Sequence, residues 1–407
     1  FKPDPRHDAE SDGNTAGLRL PPALHNQRFD LQRGSAGSDQ QRSTGSHNCM
    51  PYDQINDSIL MKGYAIISKM EENNSLLTVK ELVKHFDISG GLLDQLTLES
   101  GRIVRKKTTV KAVNAVSFRI MPQETLGVVG ESGCGKSTLA RAVLGLYPPN
   151  SGEIHYQDQR IDHLSPKKML PFRKKMQMIF QDPYASLNPR MTVNKILAEP
   201  IYFHNKSISA QAAQDKVAEV MRQVGVDPAW AGRYPHEFSG GQRQRISIAR
   251  ALMVDPEFIV ADEPVSALDV SIQAQILNLM MEAQEKRGLT YMFITHDLSV
   301  VKHISTRVAV MYLGTICELA PTKTLYEQPR HPYTQALLSA IPELGVQKPK
   351  HLKLKGEVPT PINLPSGCVF HGRCTYANER CTQEIPRLIR LDSETQVACH
   401  AVEEGRI

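Results

Sequence analysis

Apolar and polar positions along this chain fall into short blocks rather than long runs. Near-continuous apolar stretches of strand length recur at 126–129, 176–180, 258–261 and 291–294, the signature of strands buried on both faces. Between them lie stretches of helical period. Residues 137–146 form one, closed by Pro148-Pro149-Asn150-Ser151-Gly152; Pro and Gly end helices because neither carries on the backbone ladder well. In 212–224, Val217, Val220, Met221 and Val224 recur at helical intervals. Further helices run through Ile246, Ala249, Leu252 and Met253, and over 270–286. This alternation predicts an α/β fold with a mostly parallel sheet covered on both faces. Segment 186–225 is mainly helical and reads as a subdomain inserted in that core, its apolar stripe serving packing. Ahead of the core, 76–86 and 110–118 read as an edge β-region, interrupted by an insertion at 89–107. The cations Arg102, Arg105, Lys106 and Lys107 in that insertion read as a solvated loop.

Residues 1–70 show no sustained apolar period, and at least the first 50 read as disordered or non-native. Met50, Met61 and Met70 are each possible starts, because the chain begins at Phe1. The expected organisation is a tail over 1–70, a nucleotide-binding domain over 71–325 and a C-terminal extension over 326–407. With 407 residues, 41% apolar and 22% charged, the chain is long enough for two ordinary globular domains. A net charge of +5 is too small to argue for nucleic acid. No apolar run approaches the roughly 18 residues of a membrane-spanning helix; the best, 308–313, stops at Gly314. No signal peptide is visible, and any membrane role must be borrowed from partner subunits.

The stretch Gly130-Glu131-Ser132-Gly133-Cys134-Gly135-Lys136-Ser137-Thr138 follows the strand at 126–129. Its glycines let the backbone curl so that N–H groups face an anion, and the next helix adds its N-terminal partial charge. Lys136 is then placed for the β- and γ-phosphates, and Ser137 for magnesium. Asp262 and Glu263 stand at the carboxyl end of the strand at 258–261, where ligand chemistry sits in open α/β sheets. Asp262 suits Mg2+, Glu263 a general base for the attacking water, and His296, after the strand at 291–294, contact with the γ-phosphate. Phe86 is a candidate to stack on an adenine, or a core residue.

Taken together these motifs resemble the ATP-binding subunits of ABC transporters over about 76–406. Gly130–Thr138 is similar to the Walker A loop, 258–263 to Walker B, Phe238-Ser239-Gly240-Gly241-Gln242 to the ABC signature, Gln181 to the Q-loop glutamine, Ser266-Ala267-Leu268-Asp269 to the D-loop, and His296 to the switch histidine. The resemblance implies a RecA-like core with an antiparallel β subdomain, a helical signature subdomain and a small Cys-rich extension. It gives ATP and Mg2+ as ligands, Gln181 a place near the metal and the attacking water, and Ser239, Gly240, Gly241, Gln242 and Asp269 contact with ATP held by a second subunit. Only one phosphate loop and one signature occur, so a head-to-tail dimer with an identical or paralogous ATPase is implied.

Gln181-Asp182-Pro183-Tyr184-Ala185-Ser186-Leu187-Asn188-Pro189-Arg190 and His331-Pro332-Tyr333-Thr334 sharpen this toward the oligopeptide/dipeptide/nickel importer branch. That branch implies two membrane permease subunits, an extracytoplasmic binding protein and a place on the cytoplasmic face of a bacterial membrane. Import of nickel or another small solute is the alternative, as is a soluble ABC protein without a transport role.

The chain has seven cysteines. Cys368, Cys374, Cys381 and Cys399 follow one another at intervals of five, six and seventeen intervening residues. Four thiolates suit a [4Fe–4S] cluster or a tetrahedral zinc. The spacing is unlike the tight pairs of common zinc sites, and the resemblance favours iron–sulfur.

Overall fold

The computed structural model describes residues 74–89, 96–99, 102–105, 108–341, 354 and 356–407; the expectations for 1–70, with the possible starts, lie outside the described residues. In chain order the strands begin with β1 (Leu77–Asp87), β2 (Leu96–Glu99), β3 (Arg102–Arg105), β4 (Thr109–Ile120), β5 (Thr125–Val129), β6 (Ser151–Tyr156) and β7 (Gln159–Arg160). They continue with β8 (Met176–Ile179), β9 (Phe258–Asp262), β10 (Thr290–Ile294), β11 (Arg307–Tyr312), β12 (Thr315–Pro321), β13 (Ile389–Arg390) and β14 (Gln396–Val397).

Two sheets carry the fold. The smaller is antiparallel in the order β4-β1-β6-β7. The larger runs β13-β14-β12-β11-β5-β10-β9-β8, and its pairs from β11 to β8 are parallel. A separate pair, β2 with β3, lies in the insertion at 89–107. The last strands of the chain therefore complete the edge of the main sheet, through β12 with β14.

The central strands show why short apolar runs suffice here. Every residue of β5, β9 and β10 is buried, and their side chains alternate between two cores, as a period of two demands. Ile259, Ala261, Tyr291 and Phe293 pack with Val217, Met221, Leu252 and Met280 of the helical layer. Val260, Met292, Ile294 and Val128 face the other way, toward Leu139, Val143 and the antiparallel sheet's Leu77 and Val79. Burying each such side chain contributes roughly 1.5–3 kcal/mol.

The helical subdomain contains Val193–His204 and Ala210–Gln223. Ser209 opens the second of these by accepting the Ala212 N–H at 3.2 Å, which satisfies one of the donors left free at a helix start. No helix among the described residues is long and apolar enough to cross a membrane.

Candidate active site

Parallel pairing fixes the site. β10 lies between β5 and β9 with all three pointing the same way, so the loops after Val129, Asp262 and Ile294 open on one edge. The loop after β5 holds Gly130–Thr138. Gly130 and Gly135 have φ of 154° and 105°. A Cβ at these two positions would come within 2.2 Å of the Met311 carbonyl oxygen and 2.0 Å of the Ala112 carbonyl oxygen, respectively. Only glycine allows this curl. The helix Lys136–Val143 follows directly.

Lys136 is 5% exposed. Its Nζ donates to the carbonyls of Gly130 at 2.7 Å and Glu131 at 3.0 Å, so the ammonium is held over its own loop. Ser137 Oγ donates to Asp262 Oδ1 at 2.8 Å. Burial pushes the Asp262 carboxyl above its usual range, partly offset by the Ser137 hydrogen bond and the charge of Arg141. A hydroxyl and a carboxylate in contact are a hard-oxygen donor pair that fits Mg2+. Burial likewise pushes the Cys134 thiol up, which keeps it protonated within the loop.

Glu263 follows directly after β9 and lines the same cavity as the loop. Its Oε2 accepts from Gln181 Nε2 at 2.8 Å, and His296 Nδ1 stands 3.3 Å from its Oε1. Its backbone sits at φ 47°, a conformation that costs a non-glycine residue about 1–3 kcal/mol, and its N–H donates to the Ile294 carbonyl at 2.9 Å. Three segments that are remote in sequence thus meet at one carboxylate.

These groups line a cavity of about 430 Å³, which takes in Ser132, Lys136, Ser137, Gln181, Glu263 and His296. Phe86 lines it too, its ring edge-on to Tyr147 at 5.4 Å and under the Lys84 ammonium at 4.9 Å. Among the described residues, none of Ser239, Gly240, Gly241, Gln242 or Asp269 borders this cavity. Ser239 instead caps the helix Gly240–Leu252: its Oγ accepts from Gln242 N–H at 3.4 Å, while Gln242 Oε1 accepts from Ser239 N–H at 2.9 Å.

Sequence reasoning missed three residues here, all C-terminal. Pro361 lines the cavity, and its carbonyl accepts from Lys111 N–H at 2.9 Å. Tyr333 Oη accepts from the Glu131 N–H at 3.0 Å. Arg373 grips the Glu131 carboxylate with both terminal nitrogens, at 2.8 and 3.2 Å. The motif His331-Pro332-Tyr333-Thr334 was the available signal. His331 Nδ1 accepts the Tyr333 N–H at 3.0 Å and caps the helix Pro332–Ser339, aiming Tyr333 at the phosphate loop.

The four C-terminal cysteines gather without forming a ready site. Cys368 N–H donates to the Cys381 carbonyl at 2.8 Å. Burial pushes the Cys368 thiol up to about 11, and the charges of Cys381, Cys399 and Cys374 add to this. Cys368 and Cys374, however, pack on one apolar cluster and Cys399 in another. Among the described residues no group of three or more His, Cys, Asp or Glu is arranged to hold a metal ion.

A strand-fed phosphate loop, a magnesium donor pair and a carboxylate held at a parallel sheet's carboxyl edge define a P-loop nucleotide-hydrolysing cassette. Residues 113–266 match the family described as ABC transporter, and 317–381 the oligopeptide/dipeptide transporter C-terminal region. The chain belongs to the ABC transporter ATP-binding proteins of the oligopeptide/dipeptide branch, and it is an ATPase.

Its relatives include the putative oligopeptide transport ATP-binding protein YkfD of Bacillus subtilis, 52% identical over 80% of this chain and 95% of that protein. The di/tripeptide transport ATP-binding protein DppF of Pseudomonas aeruginosa is 48% identical over 81% and 98%. The oligopeptide transport ATP-binding protein OppF of Salmonella typhimurium is 48% identical over 78% and 94%. Among solved structures, the dimeric ATP-binding cassette MJ0796 bound to ADP and Pi is similar, with a TM-score of 0.53 and 25% identity over 60% of this chain and 98% of that one.

Proposed function

We propose that this chain powers the import of peptides through a membrane permease, working as one half of a head-to-tail pair of ATPases. The observation that carries this is the division of the ATP machinery. The phosphate loop, Glu263, Gln181 and His296 share one cavity, with Asp262 bonded to its Ser137, whereas the helix-opening groups at Ser239, Gly240 and Gly241 are not part of its lining. A helix N-terminus presenting a hydroxyl and free N–H groups suits a phosphate, so the second half of each ATP site arrives from another chain. Support also comes from the surface beside it: Val270, directly after Asp269, is 82% exposed.

In this reading Lys136 neutralises the β- and γ-phosphates, and Ser137, Asp262 and Gln181 hold Mg2+, which supplies further charge neutralisation when bound. Glu263, aligned between Gln181 and His296, accepts the proton of the attacking water, and His296 contacts the γ-phosphate. Phe86 meets the base. Ser239, Gly240, Gly241, Gln242 and Asp269 serve the partner's nucleotide.

Coupling to the permease is assigned to a second cavity of about 350 Å³, lined by Leu146, Phe180, Phe203, Arg173 and Arg250. It lies beside Gln181, and its Phe203 and Leu146 are 62% and 46% exposed. An apolar groove edged by Arg173, Arg250 and Glu199 suits a short helix from a membrane subunit. The peptide-transport names of the relatives favour peptides over nickel or a role outside transport. Two permease subunits, an extracytoplasmic binding protein and a place against the cytoplasmic face of the membrane complete the proposed assembly, with a cassette over 71–325 and an importer-type extension over 326–407.

The extension is proposed to hold a [4Fe–4S] cluster on Cys368, Cys374, Cys381 and Cys399, with zinc as the rival. The donor set supports it, since four soft thiols lie in one segment and the Cys368, Cys374 and Cys399 thiols are each pushed up by burial and, in smaller part, by neighbouring cysteines. Loading requires the two apolar clusters to bring their sulfurs together.

Labelled-peptide uptake by vesicles holding the complete transporter tests the function. ATP-dependent uptake that Glu263→Gln abolishes supports it, and uptake indifferent to that substitution refutes it.

A further inference from the structure

Glu131 places a carboxylate at the second position of a loop built to receive a polyphosphate, which by simple charge opposes the ligand. Two residues from the far end of the chain deal with it. Arg373 meets both carboxylate oxygens, and its Nη1 also lies 3.4 Å from Tyr312 Oη. Its side chain is only 9% exposed, so the pair is little screened by water. Tyr333 takes the backbone N–H of the same glutamate, and it is fully buried against Tyr312 and Phe370, at 4.8 and 5.4 Å between rings. Arg373 sits between Phe370 and Cys374, so its position depends on the fold of the cysteine-bearing segment.

We propose that Arg373 is a positioning residue of the nucleotide site: it cancels the Glu131 charge and pins that side chain aside, so the C-terminal extension sets the charge and shape of the phosphate loop. This rests on the ATP-site reading above. The bidentate fork matters, because a carboxylate held at both oxygens cannot swing toward the phosphates, whereas a single ammonium contact leaves one oxygen loose. Tyr333 fixes the backbone of the residue whose side chain Arg373 fixes.

The test is Mg-ATP binding to the full-length chain by equilibrium dialysis, with thermal melting beside it. Arg373→Gln weakens binding roughly tenfold, within the range that coupled neighbours show. The loss shrinks as salt is raised, because the uncompensated Glu131 carboxylate, 26% exposed, repels the phosphates partly through solvent. Arg373→Lys falls between the two, and Arg373→Gln combined with Glu131→Gln returns affinity to within about twofold of the parent, since the opposing charge is gone. A purely structural Arg373 would lower the melting temperature without this salt dependence or rescue. Equal affinity in Arg373→Gln and the parent, or a double variant as weak as the single, overturns the proposal. If Arg373→Gln does not fold, Arg373→Lys and its combination with Glu131→Gln carry the same comparison. A parent chain that binds no Mg-ATP, with Lys136→Ala identical to it, overturns the ATP-site reading and this proposal with it.

Discussion

At the scale of single residues, the site is a set of charges that need one another. Lys136 is buried and bonded to its own loop's carbonyls, a geometry that leaves its charge available to an entering phosphate and to little else. Lys136→Ala is expected to lower ATP turnover by about 10²–10³-fold, as loss of one preorganised electrostatic donor does; calorimetry with Mg-ATP checks whether binding falls with it. Glu263 is held at both oxygens and at its backbone. Glu263→Gln keeps the shape and removes the proposed base, so turnover is expected to fall by about 10²–10⁴-fold with ATP still bound; single-turnover hydrolysis separates the two. Unaltered hydrolysis would remove Glu263 from that role.

Elements explain what a sequence reader sees and what stays hidden. Short apolar runs followed by Gly130, Asp262 and His296 mark strand ends because the parallel sheet must bury both faces, but their order along the chain is not their order at the sheet edge, where β10 comes between β5 and β9. Helices with clear period, such as Ala210–Gln223, are equally legible. Contacts between remote segments are not: nothing local in Arg373 or Pro361 points to the phosphate loop, since the pairing is made by tertiary packing. The motif around His331 was visible, but its use was not. Burial lowers the His331 pKa to about 3, so the folded state keeps it neutral while the unfolded chain protonates near pH 6.5. Its contribution is therefore complete above about pH 6.5 and is lost progressively as pH falls toward 3. His331→Asn preserves a capping side chain; denaturant titrations should show its stability falling less steeply than the parent's across that window. A second element-scale test is Phe203→Asp, which charges the apolar groove. ATP binding should persist while transport is lost, read as vesicle uptake against nucleotide affinity.

For the whole molecule, the C-terminal extension is less of an appendage than its sequence position suggests. Its strands β13 and β14 finish the main sheet, Pro361 borders the nucleotide cavity, and Tyr333 and Arg373 hold the phosphate loop. The cysteine composition was plain in the sequence, whereas the separation of the cysteines between two apolar clusters was not, because spacing along a chain does not fix which core a side chain joins. Anaerobic purification should yield a brown protein with about four irons per chain, measured by iron analysis; one zinc per chain without iron would decide for the rival.

A chain that holds half an ATP site must pair with a second cassette when it binds nucleotide. Light scattering on the Glu263→Gln chain, alone and mixed with its cognate second ATPase, with and without Mg-ATP, tests it most directly. An ATP-dependent species of two cassettes is expected, lost with Lys136→Ala and also with Ser239→Arg, although Ser239 does not line the chain's own cavity. A chain that binds Mg-ATP yet stays single in both mixtures, or that pairs regardless of Ser239→Arg, would contradict it.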